Sequence, residues 1–227
     1  MATEHEADLD AQLSGIASLA EPVRRTLYRF VIGERAPVSR EQAAAAIGVA
    51  HHVAKFHLDR LEQDGLLQTE YSRPPGRTGP GAGRPAKLYR RADRQVDVSL
   101  PQRHYDLAGL LLAEAITTAE RSGARVDTAV RKVATDAGRA IAQRCAPDAT
   151  IASALADNGF EPFATESGLA LANCPFHRLA QSYPELVCGL NLHLIRGLVS
   201  GLGATDVRAK LDPSQDRCCV VLTQPVG

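Results

Sequence analysis

The stretch from residue 53 to residue 91, VAKFHLDRLEQDGLLQTEYSRPPGRTGPGAGRPAKLYRR, constrains the fold more than any other part of the chain. Val53, His57 or Leu58, and Leu61 recur at helical spacing, and Gly65 ends the run. LLQTEY and AKLYRR then have strand composition. Four prolines and four glycines lie between them. A helix followed by two short strands around a loose tip gives a hairpin packed beside that helix. The alternative is a disordered linker, the commoner fate of Pro/Gly-rich stretches. A linker, however, does not need a strand on each side.

Two shorter helical patterns come before this stretch. EPVRRTLYRFVIG places Val23, Leu27, Phe30 and Val31 on one stripe, with Pro22 suited to a first turn. SREQAAAAIG opens with Ser39 and Gln42 at capping-box spacing and closes at Gly48. Three short helices with a tight turn between the second and third make a helix-turn-helix, and the hairpin makes a wing. We place this winged domain at residues 14–95. The predicted class is mainly α with small sheets, an α+β chain of two domains.

The chain carries 26 basic and 26 acidic residues, so its net charge is zero. The distribution is uneven. Between Leu66 and Arg94 stand Arg73, Arg77, Arg84, Lys87, Arg90, Arg91 and Arg94 against only Glu70 and Asp93. That local excess predicts an anion-binding surface, here double-stranded DNA. A recognition helix presents its first residues to base edges, which selects His51, His52, Lys55 and Phe56. A solvated helix start is the plainer reading of the two histidines. Arg84, fixed by the following proline, suits a narrow minor groove, while Arg73 and Arg77 suit phosphates. Lys87 belongs to the same basic set.

The second domain is read at residues 104–227. Two long amphipathic helices open it. The second carries Val126, Val130, Val133, Ala137 and Ile141 as a stripe that serves either as core or as a dimer interface. Strands are predicted at FEPFA and GLALAN, a long helix from Pro184 to about Gly203, and a closing hairpin around Asp212 and Pro213. At 4% aromatics and no Trp, the core must be built mostly of Ala, Leu and Val. No apolar run reaches the roughly 20 residues of a membrane span, and the polar start is unlike a signal peptide, so a cytoplasmic protein without a membrane partner is expected. The absence of phosphate-loop, nucleophile-elbow and metalloprotease motifs points away from an enzyme, with no catalytic residue to name.

Four of the five cysteines, Cys174, Cys188, Cys218 and Cys219, lie in the last quarter of the chain, and Cys145 stands apart. Zinc ribbons use close Cys-x-x-Cys pairs. Here Cys174 and His177 make the only near approach to one, so any site must be assembled by the fold. Buried Cys as core filler is the bland alternative. A thiol switch between Cys174 and Cys188 is a second functional one, and a small-ligand sensor with incidental cysteines a third. Neighbours in a strand point to opposite faces, so only one of Cys218 and Cys219, with Cys218 favoured, is expected at a shared site.

LAEPVRRTLYRFV and VAKFHLDRLEQDGLL, covering about residues 15–92 with the wing, resemble the winged-helix regulators of the ArsR-like superfamily. KFHLDRLEQDGLL, the GRP…Y wing and the cysteine-bearing half together are similar to the SufR family of iron–sulfur-responsive repressors. That resemblance implies a homodimeric repressor on an inverted-repeat operator. It also implies an iron–sulfur cluster (2Fe–2S or 4Fe–4S) held by Cys174, Cys188 and one of Cys218 or Cys219, with His177 as the nearest fourth ligand. Zinc is the alternative occupant.

Overall fold

The computed structural model describes residues 4–72 and 85–223, with the side chains of residues 4–8 left aside. Two compact units divide the chain, Met1–Val98 and Ser99–Gly227.

In the first unit α1 (Glu4–Ser18) lies ahead of the winged domain proper, beginning before residue 14. α2 (Pro22–Gly33) starts as its sequence requires: Glu21 caps it by accepting from the backbone N–H groups of Val23 and Arg24, and Pro22 fills the first turn. Its Leu27 and Val31 are buried. β1 (Val38–Ser39) leads into α3 (Arg40–Ile47), which carries the capping box of Ser39 and Gln42. Gly48 ends α3 with φ 71°, a left-handed turn that favours glycine. α4 (His51–Gln63) then buries Ala54, Leu58 and Leu61, a stripe at i, i+4 and i+7 that leaves the opposite face to solvent. β2 (Leu67–Ser72) and β3 (Ala86–Arg91) pair antiparallel from Leu67 opposite Arg91 to Ser72 opposite Ala86. β1 adds to the other edge of β3, giving the order β1-β3-β2. Helix-turn-helix and wing strands are therefore present as expected; the tip of the wing lies outside the described residues.

The second unit opens with α5 (Tyr105–Ser122) and α6 (Val126–Arg144), followed by α7 (Ile151–Ala156). β4 (Pro162–Thr165) and β5 (Gly168–Leu171) form a hairpin. α8 (His177–Ser182) and α9 (Pro184–Gly201) follow, and β6 (Arg208–Leu211) and β7 (Val220–Thr223) close the unit. The sheet is antiparallel in the order β4-β5-β7-β6.

α6 and α9 pack at backbone contact, and glycines make this geometry possible. A Cβ on Gly138 would lie 2.0 Å from the Leu194 carbonyl oxygen, and one on Gly197 would lie 2.1 Å from that of Thr135. Of the α6 stripe, Val130, Val133 and Ile141 are buried in this unit's own core and Ala137 packs against it, while Val126 is half exposed. The stripe is thus largely consumed within one chain. The exposed apolar remainder on α5 and α6 includes Leu110, Ile116 and Val126. Among the described residues, no helix is long and apolar enough to cross a membrane.

Candidate nucleic-acid interface and thiol cluster

Because α4 buries Ala54, Leu58 and Leu61, it must present His51, His52, Lys55 and Phe56 outward, and all four are exposed. Phe56 is 65% exposed. His51 Nε2 stands 3.0 Å from Glu41 Oε1, so α3 steadies the first turn of α4. His57 is turned inward instead. Arg24 Nε donates to its Nδ1 at 3.4 Å, and the Phe56 ring meets it edge-on.

Beneath this surface lies a polar network the sequence reading missed. The Tyr89 hydroxyl, fully buried on β3, donates to Asp59 Oδ1 at 2.5 Å and accepts from Arg40 Nε at 2.8 Å. Lys87 Nζ donates to Asp59 at 2.9 Å and, at very short range, to Glu62. Thr69 on β2 donates to the other Glu62 oxygen at 2.7 Å. Burial opposes charge on Asp59, but the Tyr89 and Lys87 donors outweigh it and hold the carboxyl below its ordinary range. Burial likewise works against the Lys87 ammonium, yet Glu62 and Asp59 keep it well above its usual range. Tyr89 is pushed up to about 12, first by burial and then by its bond to Asp59.

This alters the reading of Lys87. Its ammonium is committed to two carboxylates and packs over the Tyr89 ring at 5.1 Å, so it braces the wing strand against α4 rather than standing free for a phosphate. The signal was Asp59 and Glu62, three apart on one face of α4, where they can meet a cation from a neighbouring strand. Arg73, Arg77 and Arg84 lie outside the described residues.

In the second unit, three segments bring four thiols together. Cys174 follows β5, Cys188 sits in the second turn of α9, and Cys218 and Cys219 directly precede β7. Cys218 is pinned by its backbone N–H to the Leu171 carbonyl at 2.9 Å, and the Cys219 carbonyl accepts from Asp212 at 2.7 Å. Arg103 holds the loop of Cys174 by donating to its carbonyl at 3.2 Å and, at very short range, to Asn173. Cys174 interacts with Cys218, Cys188 with Cys219, and Cys218 with Cys219.

Cys218 and Cys219 both lie near the other two thiols. β7 begins at Val220, so the pair precedes the strand rather than alternating within it; Cys218 is buried and Cys219 half-buried. Ionisation is resisted. The hydrogen bond to Cys218 and burial raise the Cys174 thiol far above its ordinary value. Cys218 accepts from Cys174, but its bond to Cys219 and its burial leave it at about 11. Cys219 is pushed up to about 12 by its bond to Cys188. Of the four, only Cys188 moves down, chiefly through its interaction with Cys219.

α9 adds a residue the sequence reading passed over. Asn191 is completely buried and donates from Nδ2 to Cys218 Sγ at 3.3 Å. Its signal was an Asn in the apolar run LVCGLNLHLI, three residues after Cys188. His177 stands differently. It is exposed and lines a cleft of about 200 Å³ with Cys174, Cys218, Arg103 and Arg217, which links the thiols to solvent, and it takes no part in the thiol contacts. Cys145 is also separate; its thiol donates to the Ile141 carbonyl. Among the described residues, no group of three or more His, Cys, Asp or Glu is arranged to hold a metal ion.

No curated protein and no solved structure matches the chain. Residues 19–70, from before α2 through the first wing strand, match the family model of a helix-turn-helix domain. With its wing hairpin, the first unit carries a helix-turn-helix domain.

Proposed function

We propose that this chain is a transcriptional repressor of the SufR type, whose C-terminal cysteines hold an iron–sulfur cluster or a metal ion and thereby modulate operator binding. The convergence of Cys174, Cys188, Cys218 and Cys219 carries this reading. Four thiols from three separated segments fit a thiophilic centre by kind, since thiolates are what iron–sulfur clusters and structural zinc take. A bound centre would supply positive charge that offsets four thiolates. The chain's own part is to bring the sulfurs together, exclude most water and release the protons they now share. His177 falls to a peripheral role at the mouth of the cleft.

On DNA, the exposed face of α4 enters the major groove. His51, His52 and Lys55 meet base edges or phosphates there, and Phe56 meets a thymine methyl. Arg73, Arg77 and Arg84 of the wing follow the backbone and minor groove. Two chains forming a homodimer would read an inverted repeat with half-sites about 34 Å apart. The apolar side chains left exposed on α5 and α6 favour that assembly. Anaerobically purified protein is expected to absorb broadly in the near-ultraviolet and visible, with iron and sulfide, and to bind operator differently once stripped. Zinc without a chromophore would select the alternative occupant.

A second reading is a thiol switch, which the lowered pKa of Cys188 beside Cys219 favours. Loss of two titratable thiols on mild oxidation, in protein lacking any metal, would select it.

A further inference from the structure

We propose that Asn191 is the positioning residue of the thiol site, holding Cys218 toward a thiophilic centre through an amide N–H···S hydrogen bond. The proposal rests on the cysteine reading above. Asn191 lies in α9 with 0% exposure, beside the buried Leu190 and Leu192 and one turn before Ile195. A primary amide there is expensive unless both its ends are used. Only one end is. Nδ2 donates to Cys218 Sγ at 3.3 Å, and Oδ1 has no hydrogen-bond partner among the described residues.

Packing alone does not account for this choice, because an apolar side chain would fill the site without burying polar atoms. A neutral thiol is a weak acceptor and gives the amide little in return. An ionised sulfur is a charge-assisted acceptor and gives it much more. The amide therefore suits Cys218 as a thiolate, the form that a bound cation or cluster needs. Asn191 also follows Cys188 by three residues on one helix, so α9 presents a sulfur and an amide donor on the same side. Donors of this kind orient ligand sulfurs and tune the centre they hold.

The test uses the full-length chain, reduced and free of oxygen, titrated with Co²⁺ as the probe. Wild-type protein should develop the intense near-ultraviolet charge-transfer band of thiolate bound to Co²⁺. Asn191→Leu removes the donor while keeping the branching of the side chain; Asn191→Asp keeps the shape and places a carboxylate against the sulfur. Co²⁺ affinity should fall roughly ten- to a hundredfold in Asn191→Leu, the usual range for loss of an outer partner, and further in Asn191→Asp. The charge-transfer band should move to lower energy in both. Asn191→Gln, which keeps an amide, should recover part of the affinity, and it serves as the readout if either other variant fails to fold. Wild-type affinity and band position in Asn191→Leu and Asn191→Asp would overturn the role of Asn191 and leave the cysteine reading standing. A wild-type chain that takes up Co²⁺ without a thiolate band would overturn both.

Discussion

The Tyr89 hydroxyl donates to Asp59 across 2.5 Å, tying the wing strand β3 to the inward face of α4, the helix that would read DNA. Both ends are specified: Tyr89 is fully buried, and Asp59 also receives Arg40 and Lys87. Tyr89→Phe removes only the hydroxyl, leaving Asp59 short of a donor. Hydrogen bonds to charged partners contribute about 1.5–3 kcal/mol, so the variant should lose that much in urea unfolding. It should also bind DNA more weakly although no DNA-facing side chain has changed. Unchanged stability and affinity would mean the network is slack.

The same carboxylate sets an acid limit. Asp59 is lowered in the folded chain, chiefly by Tyr89 and Lys87 acting against burial. A depressed carboxylate contributes stability that is fully present above its unfolded value, about 3.9, and is lost as pH falls through the folded value. Wild-type stability should therefore drop steeply below about pH 4. Asp59→Asn should be less stable near neutrality and show a shallower decline over that range. Urea midpoints measured across the acid range, with the tyrosine near-ultraviolet signal as probe, decide the point.

Two lysines should separate recognition from support. Lys55 is exposed on the outer face of α4, whereas Lys87 is held by Asp59 and Glu62. Lys55→Ala should leave unfolding unchanged and make the dependence of DNA affinity on salt shallower by about one counterion. Lys87→Ala should lower stability with little effect on the salt slope. The reverse pattern would return Lys87 to the interface.

The contact of α6 with α9 admits no added methyl group. A Cβ on Gly197 would meet Thr135 backbone at 2.1 Å, and backbone cannot swing aside as a side chain can. Overpacking usually costs about 1–3 kcal/mol, and Gly197→Ala should reach the top of that range or exceed it. Gly189→Ala, with nothing within 4 Å of its added Cβ on the same helix, is the control and should be neutral or slightly stabilising.

What could be read from the sequence was local. Ser39 with Gln42, Pro22 and Gly48 each fix a helix end through bonds within a few residues, so the helix-turn-helix was legible. Lys87 was not. Its charge is visible in the sequence, but its partners arrive from α4 through the tertiary fold. The place of Cys218 and Cys219 was hard to read for a related reason: alternation holds inside a strand, and β7 begins at Val220, after the pair rather than before it. Asn191 was hidden by the apolar run around it, where only a buried partner explains an amide.

The four-thiol arrangement makes the sharpest prediction. With Cys174, Cys188, Cys218 and Cys219 near one another, single Ser substitutions at each should cut metal or cluster content, including both members of the adjacent pair. A serine hydroxyl keeps the shape and much of the hydrogen bonding but is a poor ligand for a soft metal. Folding should survive the change better than loading does. Cys145→Ser should leave loading intact, because that thiol bonds only to its own helix at Ile141. His177→Ala should have a small effect, since the ring lines the cleft without joining the thiols. Iron, sulfide and zinc are to be measured on each variant beside its DNA affinity. Full loading in the Cys219→Ser chain would restore the one-of-two reading; full loading in all four would make the thiols packing residues.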